Sequence, residues 1–260
     1  MSLPQFNSGS SSDSSHPVNW KPTYTPTAYV PPTGPGLTPT GSTQPAKKSG
    51  STDLAKRVKP AVITIGVLAA VMIIIQSINW ATDYRLDQFG IDPRSWEGLL
   101  GVLFAPLLHG SWGHLWANLV PLVIMGVLIM LSGVRQFVAV TVLVWLVSGI
   151  GVWLIAPANT TTVGASGIVF GWLAFLIVRG VWTRNWKHIV LGLVLLGVYG
   201  SIFWTGIITV AVADISGVVT TSWQGHLFGA LGGVLAAFLV AKADAPRRAA
   251  AKAAKAAIQS

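Results

Sequence analysis

Six stretches of this sequence are long and apolar enough to cross a lipid bilayer as helices, and they constrain the fold more than any other feature. A membrane-spanning helix needs about 20 mostly apolar residues. The predicted spans cover residues 61–79, 113–131, 136–156, 165–181, 188–207 and 224–241. The composition agrees, since 52% of the residues are hydrophobic and only 10% are charged. The sequence therefore predicts an all-α polytopic membrane protein with six transmembrane helices.

The basic residues indicate how these predicted helices are oriented. The formal net charge is +9. The loop after predicted helix 1 contains Arg85 and Arg94 but is net negative, and the other lysines and arginines lie at the ends of the apolar runs or in the tails. They precede the first helix, follow the last, and occupy the loops after predicted helices 2 and 4. Cationic residues stay on the cytoplasmic side of membrane helices, so both termini are predicted to be cytoplasmic. The same distribution argues against a nucleic-acid partner, since no basic folded surface is formed.

The composition changes at both ends of the apolar region. Residues 1–59 are rich in Ser, Pro, Thr and Gly and have no apolar period, which predicts a disordered cytoplasmic tail. Residues 60–241 form the predicted membrane domain, and 242–260 a basic cytoplasmic tail. We expect no secretory signal, because no short apolar core follows a charged start. Residues 80–97 are predicted to form a solvent-exposed loop of mixed charge, and residues 98–112 a semi-buried connector. The chain has no cysteine, which excludes disulfides and a thiol nucleophile.

The few polar residues at membrane depth gather at one level. Ser166 begins predicted helix 4 and His226 lies near the start of helix 6, while His109, His114 and Asn118 lie at the start of helix 2. These three helices all run from outside to inside. Their first turns therefore share a depth just below the outer surface. Each buried polar group there costs free energy unless it is partnered, so these residues are candidates for function.

Glycine spacing predicts that helices 4 and 6 touch. Small residues four apart let two membrane helices come into backbone contact. The spaced glycines are Gly167 and Gly171 on helix 4, and Gly225, Gly229 and Gly233 on helix 6. The face that buries Gly229 also carries His226, so the contact would direct the imidazole towards Ser166.

This set of side chains suits acyl transfer. A serine hydroxyl becomes a nucleophile when a base takes its proton, and His226 is the available base. His114, the Asn118 amide and the Ser166 backbone N–H could stabilise an oxyanion. The only carboxylate expected near these residues is Asp214, in the loop before helix 6. Because burying an ionised third member would be costly, we expect a Ser/His pair and not a triad. Individually, Ser166 could be a helix cap, each histidine an interfacial hydrogen-bonder, and Asn118 a link between helices. The five-residue spacing of His109 and His114 is poor for a metal, and we expect neither a metal nor a cofactor.

At these residues the sequence resembles the rhomboid family of intramembrane serine proteases, over about residues 61–241. The stretch "HGSWGHLWAN" is similar to the family's helix 2 pattern, "GASG" to its Gly-x-Ser-Gly, and "GHLFGALGG" to its helix 6 histidine followed by glycines. The phrase "GVLFAPLLHGSW" resembles actinobacterial members. Two family features are missing, because Trp96 is followed by Glu97 and not Arg, and "LSGVRQ" lacks the glutamate common near the end of helix 2.

The resemblance implies a role for each matching residue. Ser166 would be the nucleophile, His226 the general base, and His114 and Asn118 the oxyanion donors. Phe170 stands where the family has an aromatic ring that stacks on the catalytic imidazole. The remaining matches imply supporting roles for His109, Gly164, Gly167, Gly229 and Gly233.

The implied activity is a serine endopeptidase of the cell membrane that cleaves transmembrane segments of other proteins near the extracytoplasmic face. Helix 5 and the segment 209–223 would form a lateral gate. One alternative is a non-catalytic rhomboid-like protein that binds client helices within the bilayer. Another, a small-solute transporter, would need internal repeats and broken midplane helices, which the sequence does not show. The oligomeric state stays open.

Overall fold

The computed structural model describes residues 49–215 and 222–259, and they form eight α-helices. The helices are α1 (Ser49–Ala81), α2 (Trp96–Phe104), α3 (Trp112–Met130), α4 (Val134–Ile155), α5 (Ser166–Thr183), α6 (Trp186–Phe203), α7 (Val210–Ile215) and α8 (Trp223–Gln259). Short 3-10 turns cover Arg85–Phe89 and Ala105–Leu107, and a π-helical segment, Trp204–Thr209, joins α6 to α7. Extended pairing in these ranges is limited to one bridge between Ile91 and Thr162.

Six helical stretches have the length and composition to cross a membrane, which confirms the predicted all-α polytopic fold. They are Lys56–Ala81, Trp112–Met130, Val134–Ile155, Ser166–Thr183, Trp186–Ala213 and Trp223–Gln259. The fifth stretch runs from α6 through the π-helical segment into α7. The protein is therefore a multi-pass membrane protein. The five connections between successive spans alternate between the two ends of the bundle.

Helical structure extends beyond the predicted boundaries. Residues 49–59, expected in the disordered tail, belong to α1, and the rest of that tail, 1–48, lies outside the described residues. The helix α8 continues through the basic end to Gln259, where alanine, lysine and arginine are strong helix formers. Residues 210–215, expected in a loop, form α7. Extending an existing helix is cheap because each added residue gains a hydrogen bond without a new nucleation step.

The helix α5 is the centre of the bundle. It packs against α3, α4, α6 and α8, and its contact with α8 is the most extensive. The side chains of Trp172 and Phe175 on α5 are fully buried. A helix that is apolar on all sides buries well in such a position. The residue at its first turn is therefore held by neighbours on several sides.

The contact between α5 and α8 follows the glycine spacing. A Cβ atom placed on Gly229 would collide with the carbonyl oxygen of Gly167, and one on Gly233 with that of Gly171. These backbones can approach because both partners lack side chains. The predicted contact between the two helices is confirmed.

The first loop and α2 are fixed to α4 by indole and guanidinium groups. Trp145 Nε1 donates to the carbonyl of Val102 at 2.5 Å, and Trp153 Nε1 to that of Ser95 at 2.8 Å. Arg94 Nη1 donates to the carbonyl of Ala156 at 2.7 Å, at the C-terminal end of α4. This end of α4 thus holds α2 over the end of the bundle where α3, α5 and α8 begin.

Candidate active site

A cavity of about 760 Å³ opens at the end of the bundle where α3, α5 and α8 begin. Four of the predicted site residues line it together: His114, Asn118, Ser166 and His226. Phe170, Gly164 and Gly167 also line it. The first turns of α3, α5 and α8 thus come together around one cavity. His109 is fully buried beside the cavity, while Gly229 and Gly233 lie deeper in the α5–α8 contact.

Ser166 is the first residue of α5. The preceding Ala165 supplies no side-chain cap, and the first amides of any α-helix have no partner within the helix. The chain reaches this point through Gly164, whose N–H donates to the carbonyl of Ala105 at 2.8 Å. The Ser166 side chain is half-buried. A hydroxyl at this place faces a helix N-terminus, where negative charge is stabilised.

Gly164 holds the serine turn against His114. Its φ of 117° lies in the region that favours glycine. A Cβ atom here would lie 2.6 Å from both Cε1 and Nε2 of His114, and 3.8 Å from Nδ2 of Asn118. The imidazole therefore packs directly on the backbone that leads into Ser166. Only a glycine combines this backbone conformation with this approach.

The imidazole of His226 is fixed on two sides and is only 5% exposed. Its ring stacks on Phe170 with centroids 4.0 Å apart and planes 2° from parallel. Its Nδ1 lies 2.7 Å from the carbonyl oxygen of Gly206. A carbonyl oxygen can only accept, so Nδ1 carries the proton in this contact. The neutral ring then has its lone pair on Nε2.

Nε2 of His226 makes no hydrogen bond within the described part of the chain. The Ser166 hydroxyl is therefore not bonded to it in this conformation, although both line the cavity. Catalytic hydrogen bonds are often long in enzymes without substrate and tighten when substrate binds. The lone pair of Nε2 thus remains without a hydrogen-bond donor among the described residues.

Asn118 and His114 of α3 line another side of the cavity, and His109, just before α3, packs behind them. Asn118 is buried, and its Nδ2 donates to the carbonyl of His114 at 3.0 Å. The rings of His109 and His114 meet edge to face with centroids 5.1 Å apart. Burial lowers the pKa of His109 to about 3, with a smaller contribution from His114 in the same direction and an opposing one from the backbone of Leu107. His109 is thus neutral at physiological pH and acts as a packing group for His114.

Sequence reasoning missed two residues that support this side of the cavity. Asn79, fully buried at the end of α1, donates through Nδ2 to Asp87 Oδ1 at 2.8 Å and to the carbonyl of His109 at 3.4 Å. Asp87 lies close enough to His114 for its charge to act on the imidazole. The side chain of Asp214, the carboxylate expected nearest to the site, lies outside the described residues. The feature of the sequence that could have identified Asn79 is its position as a polar residue at the end of an apolar run.

Two further contacts could not be read from residue types. The hydroxyl of Ser148 on α4 donates to the carbonyl of Gly225 at 2.8 Å, which fixes the start of α8. The acceptor for His226 is the backbone carbonyl of Gly206, which the identity of the side chains does not predict. Among the residues that the structure describes, no three His, Cys, Asp or Glu side chains are grouped to hold a metal ion.

The fold is that of a polytopic helical membrane protein, and Ser166, His226 and Asn118 line its cavity. The family model of the Rhomboid domain matches residues 96–243, and the chain belongs to the rhomboid family. Uncharacterized proteins of Mycobacterium bovis and Mycobacterium tuberculosis are 43% identical over 191 residues, which is 72% of this chain and 78% of theirs. The chloroplastic rhomboid-like protein 11 of Arabidopsis thaliana is 32% identical over 152 residues, covering 53% of this chain and 51% of its own.

Proposed function

We propose that this protein is an intramembrane serine endopeptidase with Ser166 as nucleophile and His226 as general base. The observation that carries the proposal is the state of the His226 ring: Nδ1 contacts a backbone acceptor, Nε2 has no hydrogen-bond partner among the described residues, and His226 and Ser166 line the same cavity. Membership of the rhomboid family, many of whose members are such proteases, supports the assignment.

The reaction would proceed through an acyl-enzyme. The Ser166 oxygen attacks the scissile carbonyl while His226 Nε2 takes its proton. The oxyanion receives hydrogen bonds from His114, from the amide of Asn118 and from the Ser166 N–H. The tetrahedral intermediate then breaks the C–N bond, and the protonated His226 gives its proton to the leaving amine. A water molecule from the cavity hydrolyses the ester with His226 again acting as base.

The substrate class is a transmembrane segment of another membrane protein. A peptide bond in a helix hides its carbonyl in a hydrogen bond, so the substrate must unwind near the cavity before attack. In this proposal the cavity faces the extracytoplasmic side of the cell membrane and both termini lie in the cytoplasm, because positive charges stay on the cytoplasmic side. In this proposal residues 60–241 form the protease domain, and the flanking segments 1–59 and 242–260 are cytoplasmic. The partners are the bilayer and the substrate helix, and no cofactor is needed.

The direct test is cleavage of a fluorogenic transmembrane substrate by the purified protein in proteoliposomes. Ser166→Ala should abolish cleavage, because no other group supplies the attacking oxygen. Asn118→Ala should lower the rate on the order of 10²- to 10³-fold, the effect of losing one oxyanion donor. The matched control is Ser77→Ala, since this exposed serine on α1 only bonds its own helix at the carbonyl of Ile73. Cleavage by Ser166→Ala at the wild-type rate would end the proposal.

A second assay separates the protease from a non-catalytic rhomboid-like protein that binds client helices. A serine-directed fluorophosphonate should label Ser166 in the wild type, and His226→Ala should block the labelling because the hydroxyl loses its base. A wild-type chain that retains client helices but neither cleaves nor labels would establish the non-catalytic alternative.

A further inference from the structure

We propose that the carbonyl of Gly206 is the third member of the His226 site, a backbone positioning group that fixes the imidazole tautomer. The inference rests on the proposed protease function and adds to it a group on a different helix. In many serine hydrolases a carboxylate holds Nδ1–H so that Nε2 can accept the serine proton. Here a neutral carbonyl occupies that place at 2.7 Å from Nδ1.

The π-helical segment makes this carbonyl available. In an α-helix the N–H of Val210 would donate to the carbonyl of Gly206, four residues earlier. In this segment it donates to the carbonyls of Ile207 and Thr205 instead. The Thr209 hydroxyl lies 3.5 Å from the carbonyl of Trp204, five residues back, and the Thr205 hydroxyl donates to Ser201 at 3.0 Å. Such single-turn widenings often occur at functional sites, and this one releases an acceptor towards His226.

The absence of a side chain at Gly206 lets the segment approach the stacked rings. A Cβ atom there would collide with Cζ of Phe170 and lie 3.2 Å from Nδ1 of His226. The glycine, the phenylalanine and the histidine therefore form one packed unit. Phe170 restrains the tilt of the imidazole by stacking, and the carbonyl of Gly206 fixes which nitrogen carries the proton.

The position of the acceptor ties the base to the least buried span of the bundle. The span Trp186–Ala213 is the least buried of the six candidate spans, and it packs mainly on α5. The π-helical segment adds its contact with α8. If the span moves outward to admit a substrate helix, the carbonyl moves with it and Nδ1 loses its partner. The imidazole is then held in the working tautomer only while the span is packed against the bundle.

The first experiment reads the tautomer without relying on cleavage. The full chain is labelled with ¹⁵N-histidine in nanodiscs, and the His226 signals are assigned by their loss in His226→Gln. We expect a neutral ring protonated at Nδ1. In Gly206→Ala we expect a mixture of tautomers, because the added Cβ drives the carbonyl away. The control is Gly197→Ala on α6, where an added Cβ meets nothing within 4 Å and the wild-type tautomer should persist.

The second experiment weakens the acceptor and leaves every side chain in place. An α-hydroxy analogue of isoleucine at position 207 turns the Gly206–Ile207 peptide bond into an ester, whose carbonyl accepts a hydrogen bond poorly. The kcat of this ester variant should fall on the order of tenfold at unchanged KM, because about one neutral hydrogen bond is lost. The control is the same exchange at Val198, which alters the Gly197 carbonyl and also removes one helical N–H.

Two results would each overturn the inference. One is a wild-type ring protonated at Nε2, and the other is an ester at position 207 that behaves like the ester at position 198. An inactive wild type with the Nδ1–H tautomer would instead count against the proposed protease and leave the positioning of His226 standing.

Discussion

Gly164 is the residue at which backbone conformation and site chemistry meet. Its φ of 117° is strained for any residue with a side chain, and its α-carbon faces the His114 ring. These two constraints can be separated because Gly133, between α3 and α4, has a similar φ of 122° with nothing within 4 Å of an added Cβ. The chain therefore contains its own control for backbone strain.

Gly164→Ala should lose both stability and activity, whereas Gly133→Ala should lose stability alone. The strained backbone costs about 1–3 kcal/mol in each variant. In Gly164→Ala the new methyl group also displaces His114, and such a displacement of a catalytic donor should lower the cleavage rate about 10²-fold. Thermal unfolding in detergent micelles and cleavage of the model substrate measure the two effects. Equal cleavage rates in both variants would show that the His114 contact does not matter for turnover.

At the residue scale the sequence points to residue types and not to their partners. Ser166, His226, His114 and Asn118 could be selected because each is a polar group at a depth where polar groups are rare. Asp87 could not be selected, since the loop of residues 80–97 holds several charges and nothing in their order shows which one folds back. The Gly206 carbonyl could not be selected from the sequence, because every residue has a backbone carbonyl.

The α5–α8 contact is the element that brings the serine and the histidine to one cavity. Its two helices touch through backbone atoms at Gly167 and Gly229 and again at Gly171 and Gly233. A backbone carbonyl cannot move aside as a flexible side chain can. Any side chain at these positions therefore forces the helices apart over their whole length.

Gly233→Ala should destabilise the protein by about 1–3 kcal/mol, because its Cβ would collide with the carbonyl of Gly171. The matched control is Gly66→Ala on α1, where an added Cβ meets nothing within 4 Å. That change should be neutral or stabilise by up to about 1 kcal/mol, since alanine is the better helix former. Unfolding by sodium dodecyl sulfate in mixed micelles compares the two. A Gly233→Ala protein as stable as the control would mean that the contact tolerates a wider spacing.

Most of the helical framework follows from the sequence because length and apolar character decide it. The predicted span 113–131 became Trp112–Met130, and 136–156 became Val134–Ile155. The fifth span differs most, since 188–207 predicts one α-helix where the structure widens at Trp204–Thr209. Its hydrogen-bond pattern depends on the packing of Gly206 against Phe170, which is a tertiary contact and leaves no mark on apolar periodicity.

The whole molecule has two ends of different chemistry. The cavity lies at the end where α5 begins, whereas the basic residues Arg184 and Lys187 are exposed just after α5 ends. The basic continuation of α8 leaves the bundle at the end of α8 that is remote from His226. Because positive charges stay in the cytoplasm, this asymmetry predicts that the cavity opens outward.

Cysteine labelling tests that orientation directly, because the natural chain has no cysteine to give background. Thr160 and Ala249 are both exposed and uncharged, so each can become cysteine without changing the charge that sets topology. Thr160 lies in the loop before Ser166, and Ala249 lies in the basic continuation of α8. A membrane-impermeant maleimide should label Thr160→Cys in intact cells and Ala249→Cys only after permeabilisation. Each variant should still cleave the model substrate, which shows that the labelled protein is the working one. Labelling of Ala249→Cys in intact cells, with Thr160→Cys protected, would place the cavity on the cytoplasmic side and would require substrates to be cut at that face.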